Sequence, residues 1–173
     1  MKQEKISFKS NGLSVVGIID IPKKVPAPGI IVCHGGTNDK INCPCFPELP
    51  NALVKAGYIV LRFDFYGSGE SDGLFQDKTN ELMMQNIKDA ISFLSKDARV
   101  TKIGLWGRSI IGNMLAYLVD KRIVCRVIQS GVYDFTEAFE RYYKKDFERF
   151  LKNPKMKYMV VTSDSRKVNG EYA

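Results

Sequence analysis

The segment GLWGRSIIGNM, residues 104 to 114, holds a serine, Ser109, between an apolar run and a helical pattern. A serine hydroxyl is a weak nucleophile until a base removes its proton. A sharp turn from strand to helix would expose that hydroxyl and aim the amide of the next residue, Ile110, into the same space. The helix N-terminus beyond it favours developing negative charge. This is the chemistry of attack on a carbonyl, with an oxyanion to be stabilised. Such a turn packs tightly and wants small residues two before and two after the serine. Gly107 meets the first requirement, whereas Ile111 occupies the second position and Gly112 follows it. The branched side chain is expected to crowd the neighbouring strand, so that the turn widens, shifts or carries strain of about 1–3 kcal/mol.

The chain has one histidine, His34 in VCHGGTND, far from Ser109 in sequence. Four cysteines, Cys33, Cys43, Cys45 and Cys125, do not read as a disulfide framework. Cys33 and Cys125 fall in apolar runs, where thiols behave as small hydrophobes. Cys43-Pro-Cys45 could bind a metal or form a redox pair, but no second Cys/His pair completes a zinc site. A Gly67-x-Gly69 pair could suggest a nucleotide loop, yet the third glycine is out of place and ESDGLFQDK does not open an amphipathic helix.

These residues need a scaffold. Alternating runs flank Asn11-Gly12, a strong hairpin signal. APGIIVCHGG and YIVLRFDFYGSGESDG each read as a buried strand running into a glycine-rich loop, and KIGLWG and CRVIQSG as further strands. Between them ELPNALVKAG presents Leu49, Leu53 and Ala56 on one helical face, with Gly57 as its stop. Met83, Ile87, Ala90, Ile91 and Leu94 form a second helical stripe, and Ile111, Met114, Leu115 and Leu118 a third. Strands alternating with helices predict a largely parallel sheet covered on both faces, with the hairpin at an edge. Ligands in such sheets bind at the carboxyl ends of the strands. Here those ends carry His34-Gly35-Gly36, Asp64 to Gly73, and Gly107 to Gly112. Beyond Gly131, Asp134 and Glu137 form a helix start signal, and Phe139, Tyr143, Phe147 and Phe150 an aromatic stripe on a helix that packs on the body or covers the site.

At 173 residues, 45% hydrophobic and 26% charged, the chain suits one folded domain. No segment approaches the roughly 20 apolar residues of a membrane helix, and the charged N-terminus lacks the core of a signal peptide. A cytoplasmic protein without membrane partners is expected. Of the net charge of +7, much sits in residues 141–173, with nine Lys/Arg against four Asp/Glu. There it reads as a solvated helix face rather than a nucleic-acid surface.

Four segments, in order and spacing, resemble the α/β-hydrolase family, and within it feruloyl (cinnamoyl) esterase-like and serine aminopeptidase-like hydrolases. They are PGIIVCHGGTNDK, FPELPNALVKAGYIVLRFDFYGSGESDG, LFQDKTNELMMQNIKDAISFL and KIGLWGRSIIGNMLAYL. The second is the most specific, because D-x-x-G-x-G-x-S-x-G directly follows a strand. The resemblance implies a three-layer α/β-hydrolase fold with a mostly parallel sheet and an N-terminal β-hairpin. Residues 1–132 would form the N-terminal part of the core and 133–173 part of a cap or lid. It implies Ser109 as nucleophile of a serine esterase, the amides of Gly36 and Ile110 as an oxyanion hole, and His34, Gly35 and Gly107 as supports. Asp64 and Arg108 would hold the loops. The substrate would be a small-molecule ester or amide, with no cofactor and no metal.

The family's catalytic acid and histidine follow further strands, and His34 is not the family's histidine position. The expectation is therefore a C-terminally truncated chain, its last strands missing, inactive alone and open to self-association along the incomplete sheet edge. An alternative makes YMVVTSDSR the acid-bearing strand, with Asp164 as the acid. The competing functional class is a pseudo-hydrolase, or a fragment with a binding role.

Overall fold

In the computed structural model the described residues are 1–46, 48–153, 158–161 and 166–169. Strands β1 (Lys2–Ser10) and β2 (Leu13–Ile21) form the expected hairpin, with Asn11 (φ 49°) and Gly12 (φ 78°) at the turn. Positive φ at both central residues matches the right-handed twist of the two strands. Strands β3 (Ala27–Cys33), β4 (Ile59–Phe63), β5 (Val100–Arg108) and β6 (Ile123–Gln129) complete a six-stranded sheet in the order β1-β2-β4-β3-β5-β6. The pairs β3/β4, β3/β5 and β5/β6 are parallel, and β2 joins β4 antiparallel.

Alternation along the central strands separates two apolar layers. Ile31 and Cys33, Ile59, Leu61 and Phe63, and Ile103 and Leu105 meet helices α2 (Asn80–Leu94) and α3 (Ile110–Tyr117) on one face. Val32, Val60 and Trp106 meet α1 (Glu48–Lys55) on the other. The α2 and α3 stripes are buried as expected, and the Thr79 hydroxyl caps α2 by accepting from the Leu82 N–H at 3.2 Å. Helix α1 is rotated from its expected face. Pro50 and Val54 are its buried residues, Leu49 and Leu53 flank them, and Ala56 is exposed just past the helix end. Four residues apart, Pro50 and Val54 centre the stripe that the Trp106 side of the sheet demands.

Helix α4 (Phe135–Leu151) starts where expected, with the Asp134 carboxylate accepting from the Glu137 N–H at 2.9 Å. Its aromatic stripe is broken by non-helical dihedrals at Tyr143 (φ −133°, ψ 29°). Phe147 is buried, Tyr143 and Phe150 are half-buried, and the Phe139 side chain is outside the described residues. Strands β7 (Tyr158–Val161) and β8 (Arg166–Asn169) pair antiparallel in a separate two-stranded sheet. YMVV is thus not a strand of the main sheet, contrary to the reading that would make it the acid-bearing strand, and Asp164 lies outside the described residues. Among the described residues no helix is long and apolar enough to cross a membrane.

Candidate active site

The three glycine-rich loops follow β3, β4 and β5 and meet at one rim of the sheet. At the end of β5 the backbone reverses at Ser109, with φ 59° and ψ −133°. Such a conformation is rare for a residue with a side chain and costs about 1–3 kcal/mol, which the surroundings must hold in place. They do so through backbone bonds. The Ser109 N–H donates to the Gln129 carbonyl of β6 at 3.0 Å, and the Ser109 carbonyl accepts from Asn113 and Val132 at 3.4 Å. A serine preceding a helix ordinarily caps it. Ser109 makes no such side-chain bond, and its side chain is half-buried.

The close crossing of helix and sheet falls at Gly107 and Gly112, not at Ile111. A Cβ on Gly107 would stand 2.6 Å from Leu115 Cδ1, and one on Gly112 would stand 2.8 Å from Ile128 Cγ2 and 3.1 Å from the Gly107 carbonyl oxygen. Ile111 points instead into the apolar layer it shares with α2, where it is fully buried. The crowding expected at position 111 does not arise there, because the α-helical rotation hands the restrictive position to the next residue.

The loop after β3 lies against this turn. A Cβ on Gly35 would be 3.7 Å from Ser109 Cβ, and one on Gly36 would be 3.1 Å from Ile110 Cγ2. Gly35, Gly36, Ser109 and Ile110 are therefore neighbours. His34 sits beneath them, fully buried, with both ring nitrogens engaged. Nδ1 donates to the Gly35 carbonyl at 2.7 Å, and Nε2 accepts from the Phe65 N–H at 3.2 Å. The neighbouring donor and acceptor thus select the neutral Nδ1–H tautomer. Its ring meets Phe65 edge-on at 5.0 Å, so it ties the β3 loop to the β4 loop.

Burial, only partly opposed by the bond to Gly35, pulls the His34 pKa down to about 4. Between the ordinary value near 6.5 and that value, the unfolded chain binds a proton at this position that the folded chain does not. Stability from this group is complete above pH 6.5 and falls by about 3 kcal/mol as pH drops toward 4. Urea unfolding at pH 7 and pH 4 checks this. His34→Gln is expected to be less stable at pH 7 but to lose about 3 kcal/mol less on acidification.

Two lysines escaped sequence reading, because a lysine in a polar loop looks solvated and nothing in its spacing says otherwise. Lys40 is 2% exposed, and its Nζ donates to Asp64 Oδ2 at 2.6 Å and to Glu70 at 2.7 Å. Asp64, wholly buried, also accepts the N–H groups of Lys40 and Glu70. Burial alone would depress the Lys40 pKa, but the bonds to Asp64 and Glu70 raise it instead. Lys40 and then Lys5 hold Glu70 down at about 2. Gly69, at φ 50°, packs so closely on Asp64 that a Cβ would lie 2.1 Å from its Oδ2. The second lysine, Lys78, is 1% exposed. It donates to the Gly36 carbonyl at 3.0 Å and to Ser68 Oγ at 2.5 Å, and it lies 4.4 Å from the Phe75 ring centroid. It holds the carbonyl of Gly36, the glycine that borders Ile110. Arg108 does not join this network. Its guanidinium favours the Cys45 thiolate. Among the described residues no group of three or more His, Cys, Asp or Glu side chains could hold a metal ion.

The sequence profile of the X-Pro dipeptidyl-peptidase (S15) family matches residues 10–167. An uncharacterized 31.7 kDa protein from the traX-finO intergenic region of Escherichia coli is 34% identical over 112 residues, which are 62% of this chain and 38% of that protein. The chain thus matches well under half the length of that curated relative. Est1E from Butyrivibrio proteoclasticus, solved with ferulic acid bound, superposes with a TM-score of 0.81 at 25% identity, covering 96% of this chain and 68% of that one. The esterase Pf2001 of Pyrococcus furiosus superposes with a TM-score of 0.72 at 20% identity, covering 89% and 57%.

Proposed function

The chain belongs to the X-Pro dipeptidyl-peptidase (S15) family, a family of hydrolases with the α/β-hydrolase fold, and on that premise we propose that Ser109 attacks a carboxylic ester or amide to form an acyl-enzyme. The observation that carries this reading is the strained Ser109 turn, φ 59°, facing the Gly35–Gly36 loop. Ser109 Oγ adds to the carbonyl carbon as its proton passes to a general base that His34, buried with both nitrogens engaged, does not supply, and the N–H groups of Gly36 and Ile110 receive the oxyanion. Return of that proton to the departing alcohol or amine leaves the acyl-serine, which water then cleaves. Lys78 positions the first donor by gripping the Gly36 carbonyl, and His34 and Gly107 hold the two loops at their spacing. Est1E binds ferulic acid and the family profile is that of an X-Pro peptidase. A hydroxycinnamoyl ester and an X-Pro anilide are therefore the first two substrates to compare.

Residues 1–132 serve as the core in this reading, and 133–173 contribute to a cap over the rim, with β7 against α4 and β8 against the Phe75–Asp77 turn. The sheet edge at β6, with Val124 and Val127 exposed, supports self-association by strand pairing.

A second reading, binding without turnover, is favoured by one observation: the only histidine in the 173 residues is buried, with both nitrogens engaged. A fluorophosphonate separates the two. The hydrolase reading expects labelling of the folded chain that disappears in Ser109→Ala. Absence of Ser109-dependent labelling would count against a reactive serine in these 173 residues.

A further inference from the structure

Two thiols at the far end of the first rim loop take no part in the chemistry above. Cys43, Pro44 and Cys45 lie in a tight turn closed by the Phe46 N–H, which donates to the Cys43 carbonyl at 2.7 Å. Proline occupies the turn position that its fixed φ suits. The turn folds the two Sγ atoms to 3.5 Å from one another. Their exposures differ. Cys43 is 1% exposed in the layer of Val32, Phe46, Val54 and Trp106, whereas Cys45 is half-buried. The Arg108 guanidinium favours the Cys45 thiolate, and the next residue along the chain is Ser109. The partly exposed Cys45 thiol is the one open to a reagent, and the buried Cys43 thiol 3.5 Å away is placed to resolve the adduct.

We propose that Cys43 and Cys45 are a modification site that closes to a disulfide by exchange with a low-molecular-weight disulfide such as oxidised glutathione. The Cys45 thiolate attacks one glutathione sulfur, the glutathione S–S bond breaks, and one glutathione leaves as its thiol. The Cys43 thiolate then attacks Cys45 Sγ, releasing the second glutathione. The two protons from the cysteines go to the two departing thiolates, and the protein dithiol loses the two electrons that the glutathione disulfide gains. Closure draws the sulfurs from 3.5 Å to about 2.05 Å. Burial and then Cys43 hold the Cys45 pKa up at about 11 against the pull of Arg108, so exchange accelerates as pH rises. The other two cysteines are distinguishable. Cys33 is fully buried and Cys125 is exposed on β6.

The test uses the folded chain carrying Cys125→Ser, incubated with oxidised glutathione from pH 7 to 9 and followed by intact mass and peptide mapping. The proposal expects the loss of two hydrogens, a Cys43–Cys45 link reversed by dithiothreitol, and a Cys33 thiol that stays unmodified because the fold is intact. Adding Cys43→Ser is expected to stall the reaction at one glutathione on Cys45, and adding Cys45→Ser to leave the mass unchanged. A stable glutathione adduct on Cys45 while Cys43 is present would overturn the proposal. So would no mass change at pH 9, or a link that includes Cys33.

Discussion

A chain carrying Asp64→Ala is expected to melt roughly 6–20 °C below the wild type. Asp64 is wholly buried and receives three hydrogen bonds, from the Lys40 ammonium, the Lys40 N–H and the Glu70 N–H. Removing it leaves the Lys40 ammonium buried, with Glu70 as its remaining partner. Breaking a buried pair on one side costs about 3–5 kcal/mol, far more than the pair contributes over an apolar replacement. Combining Asp64→Leu with Lys40→Met is therefore expected to recover part of the loss. It does not recover all, because the N–H groups of Lys40 and Glu70 remain without their acceptor. Thermal unfolding of the three proteins checks the order wild type, double variant, Asp64→Ala. Equal melting of wild type and Asp64→Ala would contradict a buried ionic anchor. The same comparison bears on function, since Asp64 holds the loop that packs beside His34 through Phe65.

The second large effect couples reactivity to strain. Ser109→Gly is expected to abolish fluorophosphonate labelling while raising stability by about 1–2 kcal/mol, or roughly 2–8 °C in melting temperature. Glycine accepts φ 59° without the clash a Cβ brings, which releases the strain in the turn. Its greater freedom in the unfolded chain takes back part of the gain. Ser109→Ala keeps the Cβ, so it is expected to lose the label with no gain in stability. Labelling and melting measured on both variants separate the two roles. A Ser109→Gly chain no more stable than Ser109→Ala would mean that the turn is relaxed and the strain argument fails.

Local pattern carried much of this fold. Asn11-Gly12 announces its hairpin because two positive φ values need those residue types. The α2 stripe from Met83 to Leu94 announces its helix because one face must be apolar. The rim loops were legible for the same reason: glycines directly after apolar strands mark where backbone must turn tightly. What was not legible depends on partners distant in sequence. Lys40 and Asp64 are 24 residues apart, and Lys78 meets a carbonyl 42 residues away. Each lysine alone reads as surface. The face of α1 depended on where Trp106 of β5 would sit, which helical spacing does not encode. At the turn, the motif rule named position 111 as the restrictive one. The backbone path from Ser109 made it position 112, because Gly107 and Gly112 touch across the crossing.

The most direct test of the account is the structure of the chain after reaction with a fluorophosphonate. The account predicts a bond from phosphorus to Ser109 Oγ, with the phosphoryl oxygen about 3 Å from the amide nitrogens of both Gly36 and Ile110. Phosphorus on another residue, or a phosphoryl oxygen turned to solvent with both amides unengaged, would contradict it.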